Sequence, residues 1–152
     1  MRSTTEYRTA PMKQKRLAAK YAFLFWFGGS TYVAFEVLFR GCSHWTMLLL
    51  GGMLFVLLGL LNEVMPWEVG LLWQVAIGTA LVTAMEFAVG CIVNLWLGWN
   101  IWDYSSLPGN VLGQISPQYT AMWVPLTLLA IVTDDLIRWR FFGEQRPAYT
   151  LL

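Results

Sequence analysis

The sequence predicts an all-α polytopic membrane protein, a four-helix transmembrane bundle with a partly ordered outer segment between helices 3 and 4. Apolar residues make up 57% of the 152 residues and charged residues only 12%, whereas soluble domains average about 45–50% and about 25%. Four apolar stretches come close to the roughly 20 residues that cross a bilayer as a helix. These stretches are continuous and do not alternate apolar with polar residues, which argues against barrel strands.

The four predicted helices differ in length. The first covers residues 20–41, and the second, 45–62, is near the lower limit for a membrane span. The third covers residues 70–98 and is long enough to tilt or to protrude from the bilayer. The fourth covers residues 119–139. Several tryptophans lie close to these helix ends, where their rings favour the headgroup layer of the membrane. The high tryptophan content therefore does not indicate a cofactor site.

The distribution of basic residues predicts the orientation. Nine of the ten lie at the two ends of the chain, and basic residues next to membrane spans stay in the cytoplasm. An even number of spans returns the chain to the same side. We therefore expect a multi-pass protein of the cell membrane with a basic cytoplasmic N-terminal segment 1–19, a transmembrane domain 20–139 and a cytoplasmic tail 140–152.

Two acids inside the predicted spans are the first candidates for a site. Glu36 and Glu86 lie at similar heights on two outward-running helices, and ionisable residues in a bilayer face the bundle interior. Arg40 follows Glu36 by one turn and can pair with it; the alternative is an ion pair that only holds helices in register. Glu86 has no basic residue within a turn, so it needs a partner on another helix, a proton or water. Its polar face continues to Asn94.

The predicted outer segment, residues 99–118, is too polar to span and too aromatic for a plain linker. Irregular backbone near the membrane packs against protein or water, so we expect this segment to fold over the outer mouth of the bundle. The alternative is a capping loop in which Asp103 is a turn acceptor. The candidate binding residues are therefore Glu36, Arg40, Glu86, Asn94, Trp102, Asp103, Tyr104, Asn110 and Gln114.

The opposite end of the predicted bundle carries a second group of charges. Asp134, Asp135 and Arg138 come at the end of the fourth helix, where their spacing allows pairing, and we expect a solvated helix end. Glu63 and Glu68 belong to the connection between the second and third helices, and we expect surface charges there.

Residues in several of these segments resemble those of a known family. They are Glu86, Phe87, Gly90, Asn94, the run Trp102, Asp103, Tyr104 and Ser105, then Pro108, Asn110, Gly113, Gln114, Ile115, Trp123, Asp134 and Asp135. On these residues the chain resembles the ABC-transporter type IV family over roughly residues 22–140. The resemblance implies transport, and it brings no agreed catalytic or binding residues.

The sequence excludes a P-loop site for binding and hydrolysing ATP. A P-loop needs Gly-x-x-x-x-Gly-Lys-Ser/Thr, and none of Lys13, Lys15 and Lys20 follows a glycine. Any ATP dependence would need a separate subunit. Metal-binding and nucleophile motifs are absent as well, so we favour a non-enzymatic role, with no cofactor, no metal and no nucleic-acid partner.

Two functions remain open. The first is a permease-like protein with an outward-side polar site between helices, its substrate unknown. The second is a non-transporting membrane subunit, or a small protein that binds or modifies lipid. Four helices are few for a complete pathway, so we expect a homo-oligomer or a partner membrane subunit, with membrane lipids around it.

Overall fold

The computed structural model describes residues 14–65 and 69–151, and within them the chain forms four α-helices. A π-helical segment, Cys91–Trp96, continues the third helix. The predicted all-α class is therefore confirmed. The helices are α1 (Gln14–Arg40), α2 (Trp45–Val64), α3 (Leu71–Gly90) and α4 (Pro117–Phe142).

Three stretches in the described part of the chain are long and apolar enough to cross a membrane: Arg16–Arg40, Leu71–Trp96 and Pro117–Phe142. The apolar part of α2, Trp45–Leu61, is shorter. Large apolar side chains cover the surface, and Leu38 is 79% exposed. Such a continuous apolar surface is stable in lipid rather than in water.

The helix ends follow from local chemistry. α1 begins before residue 20 because the preceding residues, from Gln14 on, are good helix formers. It ends at Gly41, whose φ of 73° is the left-handed conformation that favours glycine. α2 starts after His44, whose imidazole accepts a hydrogen bond from the Thr46 backbone. α4 starts after Ser116, whose hydroxyl accepts from the Tyr119 backbone.

Glycines bring α1 and α2 into close contact. A Cβ on Gly28 would lie 2.2 Å from the Cβ of Phe55, and one on Gly51 would lie 2.5 Å from the Cβ of Tyr32. Neither position has room for a side chain. Small residues at such crossings let membrane helices approach closely, so α1 and α2 form a tight pair.

The two ends of the bundle are distinct. At one end of the bundle, the loop end, residues 97–116 connect the π-helical segment to α4. We call these residues the long loop. The opposite end of the bundle, the tail end, carries residues 143–151. This tail folds back onto the bundle, where the backbone N–H of Leu71 donates a hydrogen bond to the Thr150 carbonyl over 2.7 Å. Between the ends lies an apolar core from α2, α3 and α4 that includes Leu54, Leu58, Val75, Val82 and Ile131.

Candidate functional site

Glu36 is buried at the loop end and has two partners. Its Oε1 accepts a hydrogen bond from Arg40 Nη1 at 2.7 Å, and its Oε2 accepts one from the hydroxyl of Ser43 at 2.6 Å. Arg40 also donates through Nη2 to the Ile101 carbonyl at 2.9 Å. The pair expected from the four-residue spacing therefore forms, and Arg40 also ties α1 to the long loop.

Glu86 is 4% exposed and is held from two other parts of the chain. The hydroxyl of Tyr104, on the long loop, donates to Oε1 over 3.1 Å, and the indole N–H of Trp123, on α4, donates to Oε2 over 2.7 Å. The Trp123 ring in turn stacks on Tyr32 of α1, with ring centroids 5.9 Å apart. The partner that Glu86 needs thus comes from a loop and from a facing helix.

Asn94 and Gln114 anchor the long loop to the end of the third helix. The side-chain amide of Asn94 donates to Gln114 Oε1 over 2.8 Å and accepts from the Ile101 backbone over 2.7 Å. The indole of Trp102 donates to the Gln114 carbonyl at 3.0 Å. Gly90 makes room for this contact, because a Cβ there would lie 2.6 Å from Gln114 Oε1.

Asp103 and Asn110 shape the loop from within. Asp103 Oδ1 accepts from both the backbone N–H and the hydroxyl of Ser105, at 2.8 and 2.5 Å. These hydrogen bonds lower the pKa of the Asp103 carboxyl below its ordinary value, with the hydroxyl of Ser105 as the main cause. Asn110 donates to the Leu107 carbonyl and accepts from the Gly113 backbone. Both side chains therefore contact the loop itself rather than Glu36 or Glu86.

Tyr104 connects the loop surface to the buried acid. Burial, followed by the charge of Glu86, raises the pKa of the Tyr104 hydroxyl far above its ordinary value. The phenol therefore stays protonated and remains a hydrogen-bond donor at any physiological pH. Its ring stacks on Tyr119 with centroids 4.1 Å apart, which fixes the direction in which the hydroxyl points.

Two clefts open at the loop end, and Arg40 lines both. One, of about 240 Å³, lies beside Glu36, Ser43 and His44. The other, of about 280 Å³, is lined by Tyr104, Asp103 and aromatic neighbours. Glu86 lines neither cleft, because Tyr104 stands between its carboxylate and the second cleft.

Polar groups continue from Glu86 into the apolar bundle. Thr83 and Thr79 share the face of α3 that carries Glu86, and Thr127 lies one turn from Trp123 on α4. The hydroxyl oxygens of all three threonines are buried without a hydrogen-bond partner among the described residues. Buried hydroxyls normally have a partner or an ordered water, so these three side chains form an unusual polar seam between α3 and α4.

The tail end differs from the expectation of a solvated helix end. Asp134, Asp135 and Arg138 are buried, with at most 5% of each residue exposed. Lys20 is buried with them. From the sequence we expected it only to mark the start of the first span. The burial arises because charges from α1, α2 and the tail meet the end of α4. We call these six side chains the tail-end charge cluster: Lys20, Glu63, Asp134, Asp135, Arg138 and Glu144.

Glu63 is exposed, as expected, but it is not an isolated surface charge. Its side chain is 42% exposed, but it accepts hydrogen bonds from Lys20, Tyr21 and Arg138. Glu68 lies outside the described residues. In the part of the chain that the structure describes, no three His, Cys, Asp or Glu residues are grouped to hold a metal ion.

Comparison with known proteins identifies the family. The sequence model of the family described as Putative ABC-transporter type IV matches residues 12–141, most of the chain. The chain belongs to this family. Neither a curated protein nor a solved structure matches it. Family membership and the apolar helices together indicate a membrane protein of the ABC-transporter type.

Trp123, Thr127 and Lys20 are the important residues that sequence reasoning did not place in a site. Trp123 and Thr127 are four residues apart and so share one face of α4 with Asp134 and Arg138. That periodicity is visible in the sequence. What it does not reveal is that this face meets the polar face of α3.

Proposed function

We propose that the protein is a permease-like membrane protein whose polar site, around Glu86 at the loop end, admits a small polar solute or ion. The observation that carries the proposal is the seam of unpartnered hydroxyls from Thr79, Thr83 and Thr127 behind Glu86. If these residues served only to pack the helices together, apolar residues in their place would make the fold more stable, because a buried hydroxyl without a partner costs about 1–3 kcal/mol.

In this proposal α2 crosses the membrane with the other three helices, because its 20 residues rise about 30 Å, the thickness of the hydrocarbon core. Both ends of the chain then lie in the cytoplasm and the loop end faces outward. A solute enters beside Arg40, and Tyr104 must move before it reaches Glu86. A second copy or a partner subunit completes the pathway beyond the apolar core.

Stopped-flow light scattering on proteoliposomes tests the proposal. Vesicles are mixed with sodium chloride, potassium chloride, ammonium chloride, urea or glycerol, and reswelling reports entry of each solute. At least one solute should enter faster than into protein-free vesicles. That rate should fall about tenfold, about 1.4 kcal/mol in the barrier, in Glu86→Gln and in Thr83→Val.

Thr133→Val is the matched control, since Thr133 lies on a different face of α4 from Thr127 and its hydroxyl is not among the unpartnered groups. The variant should retain the parent rate. Circular dichroism confirms that each variant is folded before its flux is compared. If no solute enters faster than into empty vesicles, the permease proposal is wrong.

A second candidate, a non-transporting protein that binds lipid, is favoured by one observation. The cleft of about 280 Å³ combines Arg40 with the rings of Trp102, Tyr104 and Tyr119 at the loop end, a combination that suits a lipid phosphate and its glycerol backbone. Native mass spectrometry would then detect a bound phospholipid that is lost in Arg40→Gln. Flux without a retained lipid would exclude this candidate.

A further inference from the structure

The charges of the tail-end cluster do not balance. It contains four acidic side chains and two basic ones, Lys20 and Arg138. Four of the six residues are at most 5% exposed: Lys20, Asp134, Asp135 and Arg138. Glu63 and Glu144 reach solvent. Uncompensated charge in a low-dielectric interior is costly. The excess of acids over bases favours the uptake of a proton or another cation by the most buried acid.

Most of the acids already have aligned partners. Lys20 Nζ donates to Glu144 at 2.7 Å and to Glu63 at 3.3 Å. Arg138 Nη1 donates to Glu63. The Tyr149 hydroxyl, from the tail, donates to Asp135 Oδ2 at 2.5 Å. These contacts satisfy the acids from α2, from the tail and from one position of α4.

Asp134 is different. It is fully buried at 0% exposure, and neither carboxylate oxygen makes a hydrogen bond to the described residues. Oδ2 does lie against Arg138 Nε as an ion-pair contact, but the geometry is not that of a hydrogen bond. Arg138 Nη2 is likewise buried without a hydrogen-bond partner. Arg138 thus donates its hydrogen bond to Glu63, whereas its contact with Asp134 is an ion pair without a hydrogen bond.

We propose that Asp134 is a proton-binding site that carries its proton at neutral pH. Glu63 and Glu144 are poorer candidates because their side chains are 42% and 21% exposed, and water stabilises their charge. Protonation removes the charge of the most buried acid and leaves Arg138 to neutralise Glu63. The tail-end cluster then approaches charge balance.

A metal ion fits this position poorly. A Cβ on Gly59 would lie 2.0 Å from Asp134 Oδ2, so the backbone of α2 stands directly against the carboxylate. Cations such as Ca²⁺ need six or more oxygen ligands, whereas a proton needs no coordination shell. Gly59 therefore leaves space for the carboxyl group and little more, which favours a proton over a metal.

The site lies at the opposite end of the bundle from Glu86. Ile131 lies about one turn before Asp134 on α4, on the side toward the loop end, and belongs to the buried apolar cluster that includes Leu58 and Val75. The protonation of Asp134 does not depend on the permease proposal. If both hold, each end of the bundle carries a buried carboxyl, and the proton is the ion suited to couple transport.

Nuclear magnetic resonance tests the proposal on the full chain in detergent micelles. The sequence has only three aspartates, Asp103, Asp134 and Asp135, so ¹³C labelling of aspartate side-chain carboxyls gives three signals. At about pH 7, where an exposed aspartate is ionised, one signal should have the chemical shift of a protonated carboxyl. That signal should be absent from Asp134→Asn and present in Asp103→Asn.

The assignment can be made even if Asp134→Asn does not fold, because Asp103→Asn and Asp135→Asn identify the other two signals by elimination. The proposal is overturned if all three signals are those of carboxylates from about pH 5 to about pH 9. It is also overturned if the protonated signal disappears in Asp135→Asn. Neither result affects the flux measurement, so the two proposals fail separately.

Discussion

Tyr104 donates a hydrogen bond to Glu86 over 3.1 Å and so joins the long loop to α3. The contact closes the loop end above a buried carboxylate whose other oxygen is held by Trp123. Opening the loop at Tyr104 would expose Glu86 to the cleft beside Arg40. The loop therefore covers Glu86 and is not only a connection between helices.

Removing the Tyr104 hydroxyl should destabilise the fold. In Tyr104→Phe, Glu86 Oε1 loses its donor while buried, which costs about 1–3 kcal/mol. Tyr119→Phe is the control, because that ring stacks on Tyr104 but its hydroxyl has no hydrogen-bond partner in the described part of the chain. Thermal unfolding in detergent should show a lower Tm for the first variant alone. Equal Tm values would mean that the hydrogen bond contributes nothing.

Asn94 should control the order of the long loop. Asn94→Ala removes one hydrogen bond to Gln114 and one to Ile101, together worth about 2 kcal/mol at about 1 kcal/mol each. Hydrogen exchange of residues 99–116 should then become faster while exchange in α2 is unchanged. Ser106→Ala, at an exposed loop position, is the control and should exchange like the parent. Unchanged loop exchange in Asn94→Ala would contradict this role.

Gly59 should tolerate no side chain while Asp134 is present. The added Cβ of Gly59→Ala would meet Asp134 Cγ at 2.2 Å, and overpacking of this kind costs about 1–3 kcal/mol. The folded yield and the Tm should both fall. In the Asp134→Ala background the colliding atoms are gone, so the same substitution should cost much less. A similar cost in both backgrounds would rule out the contact as its cause.

The pH dependence of the loop should follow Asp103. Its pKa is lowered by the Ser105 hydrogen bonds, so their stabilisation is present above the ordinary value of about 3.9 and is lost as the pH falls through the lowered pKa. Carboxyl NMR should show Asp103 titrating below that value in the parent and nearer to it in Ser105→Ala. Ser106→Ala should not change it. An ordinary pKa in the parent would contradict the turn geometry.

The sequence predicted the helices and part of the site. Apolar length alone places three of the four predicted spans, and the four-residue spacing of Glu36 and Arg40 gives their ion pair. Glu86 has no basic residue within a helical turn, and this correctly predicted that its partner comes from another part of the chain. Nothing in the sequence identified Trp123 as that partner. Which faces of α3 and α4 meet depends on tertiary packing, which periodicity within each helix does not determine.

The tail end shows the same limit more strongly. Asp134 and Arg138 have the spacing of an ordinary solvated pair, and the prediction of a solvated helix end was wrong. Their burial requires Lys20 from α1, Glu63 from α2 and Glu144 from the tail to converge. Contacts between residues so far apart along the chain leave no local pattern in the sequence.

Thiol labelling in intact cells tests most directly whether the loop end opens outside the membrane, as the proposed function requires. Cys42 is exposed and lines the cleft beside Glu36, and Cys91→Ala leaves it as the single cysteine. A membrane-impermeant maleimide should label Cys42 in intact cells. Gln145→Cys in a chain lacking both native cysteines should react only after the cells are permeabilised. Labelling of the tail but not of Cys42 in intact cells would contradict the proposed orientation and place the Glu86 site on the cytoplasmic side.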